Sequence, residues 1–372
     1  MTKRSKTIKI YNIHKKNKIY KFSAKKNRKT KHKLINTHTN TNTNTNTKTN
    51  TNITNTINNI NSKNLCAPFI EPLDISNTSN TSNTSNISNI SNISNISNTL
   101  TNNIQTDSSC FTIESLRQII DKWNETHTNM IIKYDSMTNR KDLWSAINNA
   151  LRPQCNNEIC WIKQDFIKYS QLYKTLLKNF KPLMPTKWID KPTEWLNTLD
   201  ISNVMSQYEK KYPDYEFIGP VPLDFDTKLS FGQCVIDELC NINLKQLLDK
   251  GKNNIGVVFN LDKHNETGSH WVAMHCSINN NFIYYWDSYG MKPSNEIVVL
   301  MNRLKQQGSE IGHKIKIKLN NVRHQYKNSE CGVYCIYFLT SLLDGKKFNN
   351  IIKNIVDDDT INTYREKYFI KL

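Results

Sequence analysis

Apolar residues at helical spacing define the first structured part of the chain. A first helix is predicted where apolar side chains recur every three or four positions, at Phe111, Ile113, Leu116, Ile119 and Ile120. Glu114 and Ser115 suit its first turn. A second helix is predicted over Lys141–Leu151, before Pro153, and a third over Trp161–Phe180, before Pro182. Residues 107–183 are therefore interpreted as a small helical region.

From Trp188 onward the pattern changes to strands mixed with helices. Strand-like runs are Ile255–Leu261, His270–Ile278, Phe282–Ser288 and Lys314–Leu319, the last of which alternates Lys and Ile. Asn279–Asn281 lies between two of these runs and predicts a hairpin turn, because Asn tolerates left-handed backbone angles. Helices are predicted at Cys234–Lys250, Ser294–Gln307 and Cys331–Leu343. This mixture predicts an α+β fold.

The N-terminal part has a different composition from the rest. The chain of 372 residues has a net charge of +18, and residues 1–70 hold 16 Lys and Arg but no Asp or Glu. Asn/Thr alternation at 39–52 and Ser-Asn repeats at 75–99 lack the apolar groups that offset the entropy of ordering a chain. We therefore predict a disordered arm at 1–106, the helical region at 107–183 and a second domain at 184–372.

Nine cysteines at irregular spacing, without an apolar leader near Met1, indicate a reducing compartment and no disulfides. Cys155 and Cys160 lack a second pair that would complete a zinc site, so no metal is expected. Cys234, Cys240 and Cys276 are interpreted as core residues. No apolar run reaches the roughly 20 residues that a membrane helix needs.

One cysteine lies at the predicted N-terminus of a helix, a position where a thiol becomes reactive. Cys331 begins the apolar segment Cys331–Leu343, with Asn328 or Ser329 as a predicted helix cap. Unpaired amides and the helix dipole at an N-terminus favour a thiolate. Gly332 would let a substrate backbone approach closely. The alternative is an ordinary buried cysteine, which is how we interpret Cys335, one turn further along.

A base and a carboxylate follow from the predicted hairpin. His270 opens one strand and Asp287 ends the next, so the two should lie side by side across the turn. The carboxylate would then orient and stabilise the imidazolium. His275 is a competing base, but its odd offset from His270 places it on the other face of the strand. Gln325, in the loop before Cys331, has an amide that can donate to an oxyanion.

The order His270-Trp271, Asp287-Ser288, Gln325 and Cys331-Gly332 resembles the ubiquitin-like-protein-specific proteases, the family that contains the SUMO proteases and is related to the adenovirus protease. The resemblance covers about 188–345. Trp195-Leu196 and the segment 217–226 look like the version of this family in nucleocytoplasmic large DNA viruses, and the whole chain looks most like the thiol proteases of mimivirus-like giant viruses.

The resemblance implies a papain-like cysteine peptidase fold and cleavage after Gly-Gly or a similar small pair, without a cofactor. Trp271, beside the base, would roof a channel that admits only glycines; a core position is the alternative for this indole. Glu330 departs from the Asp that usually precedes the nucleophile in cellular SUMO proteases, which weakens any transfer of SUMO specificity.

The partners that follow are protein substrates, either viral structural precursors or ubiquitin-like modifiers, and nucleic acid bound by the basic arm. The expected location is the virion or the cytoplasm of an infected host, without secretion. A function of another class is also open: a nucleic-acid-binding or structural virion protein built on an inactive protease fold. The presence of all four catalytic residue types argues against it.

Overall fold

The computed structural model describes residues 65–70, 73–74, 108–155, 157–230 and 232–371. The basic segment 1–33, the Asn/Thr segment 39–52 and the Ser-Asn repeats 75–99 lie outside these residues, so their predicted disorder stays a prediction. No helix in the described ranges is both long enough and apolar enough to span a membrane.

The described strands and helices are bounded as follows. The strands are β1 (Leu73–Asp74), β2 (Ser108–Ser109), β3 (Tyr215–Pro222), β4 (Asn254–Asn260), β5 (Trp271–Ser277), β6 (Phe282–Trp286) and β7 (Lys316–Leu319). The helices are α1 (Ile113–Thr126), α2 (Arg140–Leu151), α3 (Glu158–Lys163), α4 (Asp165–Lys168), α5 (Gln171–Leu177), α6 (Thr198–Lys211), α7 (Asp237–Cys240), α8 (Leu244–Asp249), α9 (Asn295–Glu310), α10 (Cys331–Leu343), α11 (Phe348–Lys353) and α12 (Asp358–Tyr368).

Helices α1 to α5 enclose an apolar core of their own. The first two predicted helices are confirmed, with Glu114 in the first turn of α1. The single helix predicted over Trp161–Phe180 is wrong, because three short helices, α3, α4 and α5, take its place and end at Leu177. Gln164 has an extended backbone and ends α3, while extended Ser170 precedes α5. Two local breaks therefore outweigh the apolar periodicity.

Three disulfides correct the expectation of free thiols. Cys66 is bonded to Cys110, Cys155 to Cys160 and Cys234 to Cys240. Among the described cysteines, the free ones are Cys276, Cys331 and Cys335. The first disulfide also holds residues 65–70, which the sequence places in the arm, against the helical region, where Cys66 and Ala67 are buried. Local spacing could not reveal this pairing because its partners are 44 residues apart.

A five-stranded mixed sheet of order β3-β4-β5-β6-β7 forms the centre of the second domain. The inner pairs β4-β5 and β5-β6 are antiparallel, and the outer pairs β3-β4 and β6-β7 are parallel. This sheet, flanked by helices, confirms the predicted α+β class. The four predicted strands are confirmed within two residues at each end, and Asn281 in the predicted turn has φ 58°. Edge strand β3 was not predicted.

Each face of the sheet carries its own apolar core. Helices α6 and α10 cover one face, where Trp286 of β6 stacks on Phe338 of α10 with ring centroids 5.3 Å apart. Helix α9 covers the other face together with α8. The single helix predicted over Cys234–Lys250 is wrong: the chain forms α7 and α8 with a break at Asn241–Asn243, where Asn243 caps α8. The predicted helix at Ser294–Gln307 is confirmed as α9, with Ser294 as its N-cap.

Candidate active site

His270 and Asp287 meet at one end of the central hairpin. His270 immediately precedes β5 and Asp287 immediately follows β6, and His270 Nε2 lies 2.8 Å from Asp287 Oδ1. This is the contact that the hairpin position predicts. Because Nε2 is bonded to the carboxylate, Nδ1 is the ring nitrogen that remains for the thiol of Cys331, which is close enough to raise the pKa of the imidazole.

The ring of Tyr289 packs on the imidazole of His270, a contact that the sequence did not predict. The paired part of the hairpin ends at Ala273 and Trp286, and Tyr289 lies in the turn that follows β6, where the backbone N–H of Gly290 donates to the carbonyl of Asp287 at 2.8 Å. The two rings stack with centroids 4.8 Å apart and an interplanar angle of 26°. The backbone N–H of Tyr289 donates to Asp287 Oδ1 at 2.8 Å. The sequence signal was Asp287 itself, because an Asp side chain in a turn commonly accepts from the backbone N–H two residues further on.

Cys331 is the first residue of α10 and is almost wholly buried. Its place at the N-terminus of a 13-residue helix is the predicted one. The predicted cap is wrong, because the N-cap residue is Glu330 and no side chain caps the helix. The Glu330 carboxylate instead turns back to accept from the backbone N–H and hydroxyl of Ser329, both at 2.8 Å.

The C-terminal helix α12 holds the residues before the nucleophile. Asn362 donates its amide to Glu330 Oε1 at 2.9 Å. Asp358 Oδ2 accepts from the backbone N–H groups of Tyr326 and Lys327, each at 2.8 Å. These bonds attach the loop before Cys331 to a helix more than 25 residues further along the chain.

The ionic state of His270 is set by opposing effects. Burial lowers the pKa of His270, but hydrogen bonds to Asp287 and Cys331, with the negative charges of both, raise the pKa from 6.5 to about 9. The imidazolium is therefore the favoured form at neutral pH. A protonated imidazole beside a thiol at a helix N-terminus is the arrangement that stabilises a thiolate.

Gln325 lies in the loop between β7 and α10 and is fully buried. Its Oε1 accepts from the Ser288 hydroxyl at 2.6 Å, and its Nε2 donates to the carbonyl of Lys327 at 2.9 Å. The second N–H of the amide has no bond to any of the described residues. Ser288 also joins this loop to the Asp287 loop, since its carbonyl accepts from the backbone N–H of Gln325 at 2.9 Å.

Two glycines permit close packing around the site. A Cβ at Gly332 would lie 2.9 Å from Cβ of Leu196 and 3.4 Å from Cδ1 of Trp271, so glycine lets α10 pack against them. A Cβ at Gly290 would lie 2.9 Å from the carbonyl carbon of Val322. The structure thus gives Gly332 a packing role, and its predicted role in substrate approach stays a prediction.

Trp271 is a core residue in this structure. The indole is buried in the core beside α10, and its N–H donates to the carbonyl of Leu196 at 3.0 Å. Its predicted contact with substrate stays a prediction. Trp195, the residue before Leu196, is the more exposed of the two tryptophans and keeps 37% of its surface exposed.

The remaining candidates lie apart from this group. His275 is on the opposite face of β5 from its neighbour Met274, five residues beyond His270, and Cys335 is buried in the core. Cys155 and Cys160 are joined to each other, so their thiolates are not available to a metal. In the described ranges no group of three His, Cys, Asp or Glu side chains is placed to hold a metal ion.

The chain is similar to known proteases. The model of the Ulp1 protease family, C-terminal catalytic domain, matches residues 257–371, which include all four predicted catalytic residues. A protein of Acanthamoeba polyphaga mimivirus named "Putative thiol protease" is 33% identical over 280 residues, covering 71% of this chain and 89% of the relative. A protein of African swine fever virus named SUMO-1 cysteine protease is 27% identical over 246 residues, covering 62% of this chain and 88% of the relative.

The fold has a solved counterpart. The crystal structure of the African swine fever virus protease superposes with a TM-score of 0.51 at 23% identity, covering 65% of this chain and 94% of that structure. This likeness shows a shared fold, and the identity to the mimivirus relative over most of its length shows common descent. The chain therefore belongs to the Ulp1 protease family and is a cysteine protease.

Proposed function

We propose that Cys331 is the nucleophile of this protease, that His270 is its general base and acid, and that Asp287 orients and stabilises the imidazolium. The observation that carries the proposal is the 2.8 Å bond between the Asp287 carboxylate and the imidazole of His270, whose pKa is raised both by Asp287 and by the thiol at the start of α10. Nucleophile, base and orienting carboxylate in hydrogen-bond reach of one another are the arrangement that thiol catalysis needs.

The reaction proceeds in two halves. The proton of Cys331 passes to His270 Nδ1, which gives the imidazolium that the Asp287 carboxylate stabilises, and the resulting thiolate attacks the carbonyl carbon of the scissile bond. The resulting oxyanion accepts hydrogen bonds from the free N–H of Gln325 and the backbone N–H of Cys331. The imidazolium then protonates the leaving amine, and the C–N bond breaks to leave a thioester. His270 next deprotonates a water molecule that hydrolyses the thioester and releases the thiol.

The substrates that we propose are protein chains cleaved after Gly-Gly or a similarly small pair, in viral structural precursors or ubiquitin-like modifiers. Two observations support this. The African swine fever virus relative is named for SUMO-1. Beside the nucleophile, Leu196 packs against Gly332, and its chain neighbour Trp195 keeps 37% of its surface exposed, so an accessible aromatic side chain lies one residue from this contact.

A panel of matched fusions tests the proposal. Full-length protein would be incubated with SUMO and ubiquitin fusions and with a viral-precursor peptide, each carrying Gly-Gly at the cleavage site and, in the matched control, Ala-Val. We expect cleavage of at least one Gly-Gly member and none of its control, by mass spectrometry of the new termini. Equal cleavage of both members would refute the glycine preference while leaving the protease activity established.

Gln325→Ala should reduce kcat by about 10²–10³-fold and change KM little, because an oxyanion donor acts mainly in the transition state. The measurement is kcat and KM on a fluorogenic Gly-Gly peptide. Gln325→Glu is the stricter variant, since it keeps the shape of the side chain and removes both amide donors.

Ser288→Ala is the matched comparison for Gln325. It removes the 2.6 Å bond that holds the amide in place but leaves the donor itself. Its loss of kcat should be smaller than that of Gln325→Ala. A rise in KM with unchanged kcat in Gln325→Ala would assign the residue to substrate binding instead.

Tyr289→Ala should lower kcat by about 2- to 13-fold, which corresponds to the ~0.5–1.5 kcal/mol of a stacked aromatic pair. The reason is that the imidazole of His270 loses the ring that limits its rotation. Tyr289→Phe retains the ring and loses only the hydroxyl bond to the carbonyl of Lys327, so its kcat should stay near that of the parent. Equal losses in the two variants would show that the hydroxyl bond, and not the stacking, is what matters.

A further inference from the structure

A cavity lies at the end of the sheet remote from the active site. It has a volume of about 680 Å³ and lies beside His275 and Ser277 of β5 and the last residues of α10. Five residues of strand separate His275 from His270, a distance of roughly 16 Å. Helix α10 thus has the proposed nucleophile at its first turn and this cavity at its last, and nothing in the proposed mechanism uses the cavity.

Four lysines line the cavity from three elements of the chain. Lys318 belongs to β7, Lys346 and Lys347 follow α10, and Lys353 ends α11. No ion pair in the described part of the chain involves any of them. Asp214 is the acidic side chain in the lining, which leaves a net formal charge of +3.

The acidic groups at this end of the sheet are already engaged. The Asp214 carboxylate accepts from the Asn254 amide at 2.7 Å. Asp344, just outside the lining, accepts from the hydroxyl of Tyr212 at 2.6 Å and pairs with Lys211 at 3.2 Å. Asp214 is already counted in the net charge of +3, and Asp344 is paired with Lys211, so the net positive charge of the lining remains.

A buried polar side chain completes the lining. His275 is 3% exposed, and its Nδ1 has no hydrogen-bond partner among the residues that the structure describes. The side chain of Asn280 donates to the hydroxyl of Ser277 at 2.8 Å, and both belong to the cavity. The stacked rings of Tyr284 and Phe348, 4.5 Å apart, form an apolar part of the wall. A cavity of this kind offers hydrogen-bonding groups as well as charge.

Ordinary structural roles account for only part of this arrangement. Lysines protect the edge of a sheet and complement the negative end of a helix, and these roles fit Lys318 on edge strand β7 and Lys346 after α10. The two side chains also lie over the rings of Phe282 and Tyr337. The helix-end role also fits Lys353, which lies in the last turn of α11. Neither role explains Lys347, or a buried imidazole in the same cavity whose Nδ1 has no partner among the described residues.

We propose that this cavity binds a small anion that carries at least two phosphoryl groups. A phosphoryl group has a charge of about −1.5 to −2 at pH 7 and three acceptor oxygens, so two of them match the net charge of the lining. Lysine ammonium groups and amide N–H groups are suitable donors to phosphate oxygens. Ions with a single negative charge would leave most of the lysines without a partner.

Titration of the full-length protein with tripolyphosphate tests the proposal. Calorimetry would compare the parent, the variant Lys318→Gln/Lys347→Gln/Lys353→Gln, and a control, Lys245→Gln/Lys305→Gln, whose lysines lie on α8 and α9 across the sheet. We expect saturable binding of one equivalent to the parent and the control, with affinity at least tenfold weaker in the cavity variant. In protein with labelled histidines, the His275 signals should shift on binding.

Each other outcome overturns the proposal. Unchanged affinity in the cavity variant would assign the binding to the basic N-terminal residues, which all three proteins share. Absence of saturable binding to the parent would leave the lysines as protection for the strand edge and the helix end. Melting temperatures of the three proteins, measured without ligand, establish that the variants are folded, so loss of binding is not confused with loss of structure.

Discussion

Cys331→Ala should abolish peptide cleavage, with a loss on the order of 10⁶-fold, the size found when the nucleophile of a catalytic triad is removed. The sulfur of Cys331 is the atom that forms the covalent intermediate, so no other group in the site replaces it. The measurement is turnover of a fluorogenic Gly-Gly peptide, together with the melting temperature, which should stay close to that of the parent.

Cys335→Ala is the matched control because this cysteine is also free, buried and in α10, one turn from Cys331. Cys276→Ala provides a second control on β5. Both should retain cleavage and labelling by a thiol-reactive ubiquitin-like probe. If Cys331→Ala cleaved the peptide as well as the parent, the proposed nucleophile would be wrong, although the chain would remain a cysteine protease by descent.

His270→Ala should be nearly as inactive as Cys331→Ala, because base and nucleophile act as a unit. Asp287→Asn should keep some activity but change its pH dependence. Folding raises the pKa of His270 to about 9, so the imidazolium persists up to that pH and cleavage should decline as the pH rises through 9. Stabilisation of the fold by this cation is complete below about pH 6.5 and is likewise lost through pH 9.

Removing the Asp287 charge leaves burial as the main influence on the imidazole, which lowers its pKa. The alkaline limb of kcat/KM should therefore move down by about 1–3 pH units in Asp287→Asn. Asp226→Asn is the control, since Asp226 pairs with Arg303, a residue of helix α9. An unchanged alkaline limb in Asp287→Asn would show that this carboxylate does not set the ionisation that limits turnover.

The features predicted correctly from sequence depend on neighbours along the chain. Helix α10 begins at Cys331 and ends at Leu343 as predicted, because its apolar run is continuous and Gly345, with φ 83°, follows it. The β5-β6 hairpin follows from two apolar runs joined by asparagines. Once that hairpin is placed, the approach of His270 to Asp287 is a consequence of strand geometry.

The errors arise where local breaks or distant partners decide the structure. Extended backbone at Gln164 divides a predicted helix, and capping by Asn243 divides another. Edge strand β3 pairs in parallel with β4, from Tyr215 opposite Asn254 onward, and contains Pro220, which cannot donate to the ladder. Two parallel strands need a long connection between them, so no local sequence pattern predicts their pairing.

Residue types and their order along the chain were therefore enough to predict the α+β class, the family and the four proposed catalytic residues. Only the folded structure placed Tyr289 on the imidazole, bonded Gln325 to Ser288, linked Glu330 to Asn362 and brought four lysines around His275. The physical reason is range. Helical periodicity and turn preferences act over a few residues, whereas these contacts join segments that are distant in sequence and become neighbours only when both faces of the sheet are covered.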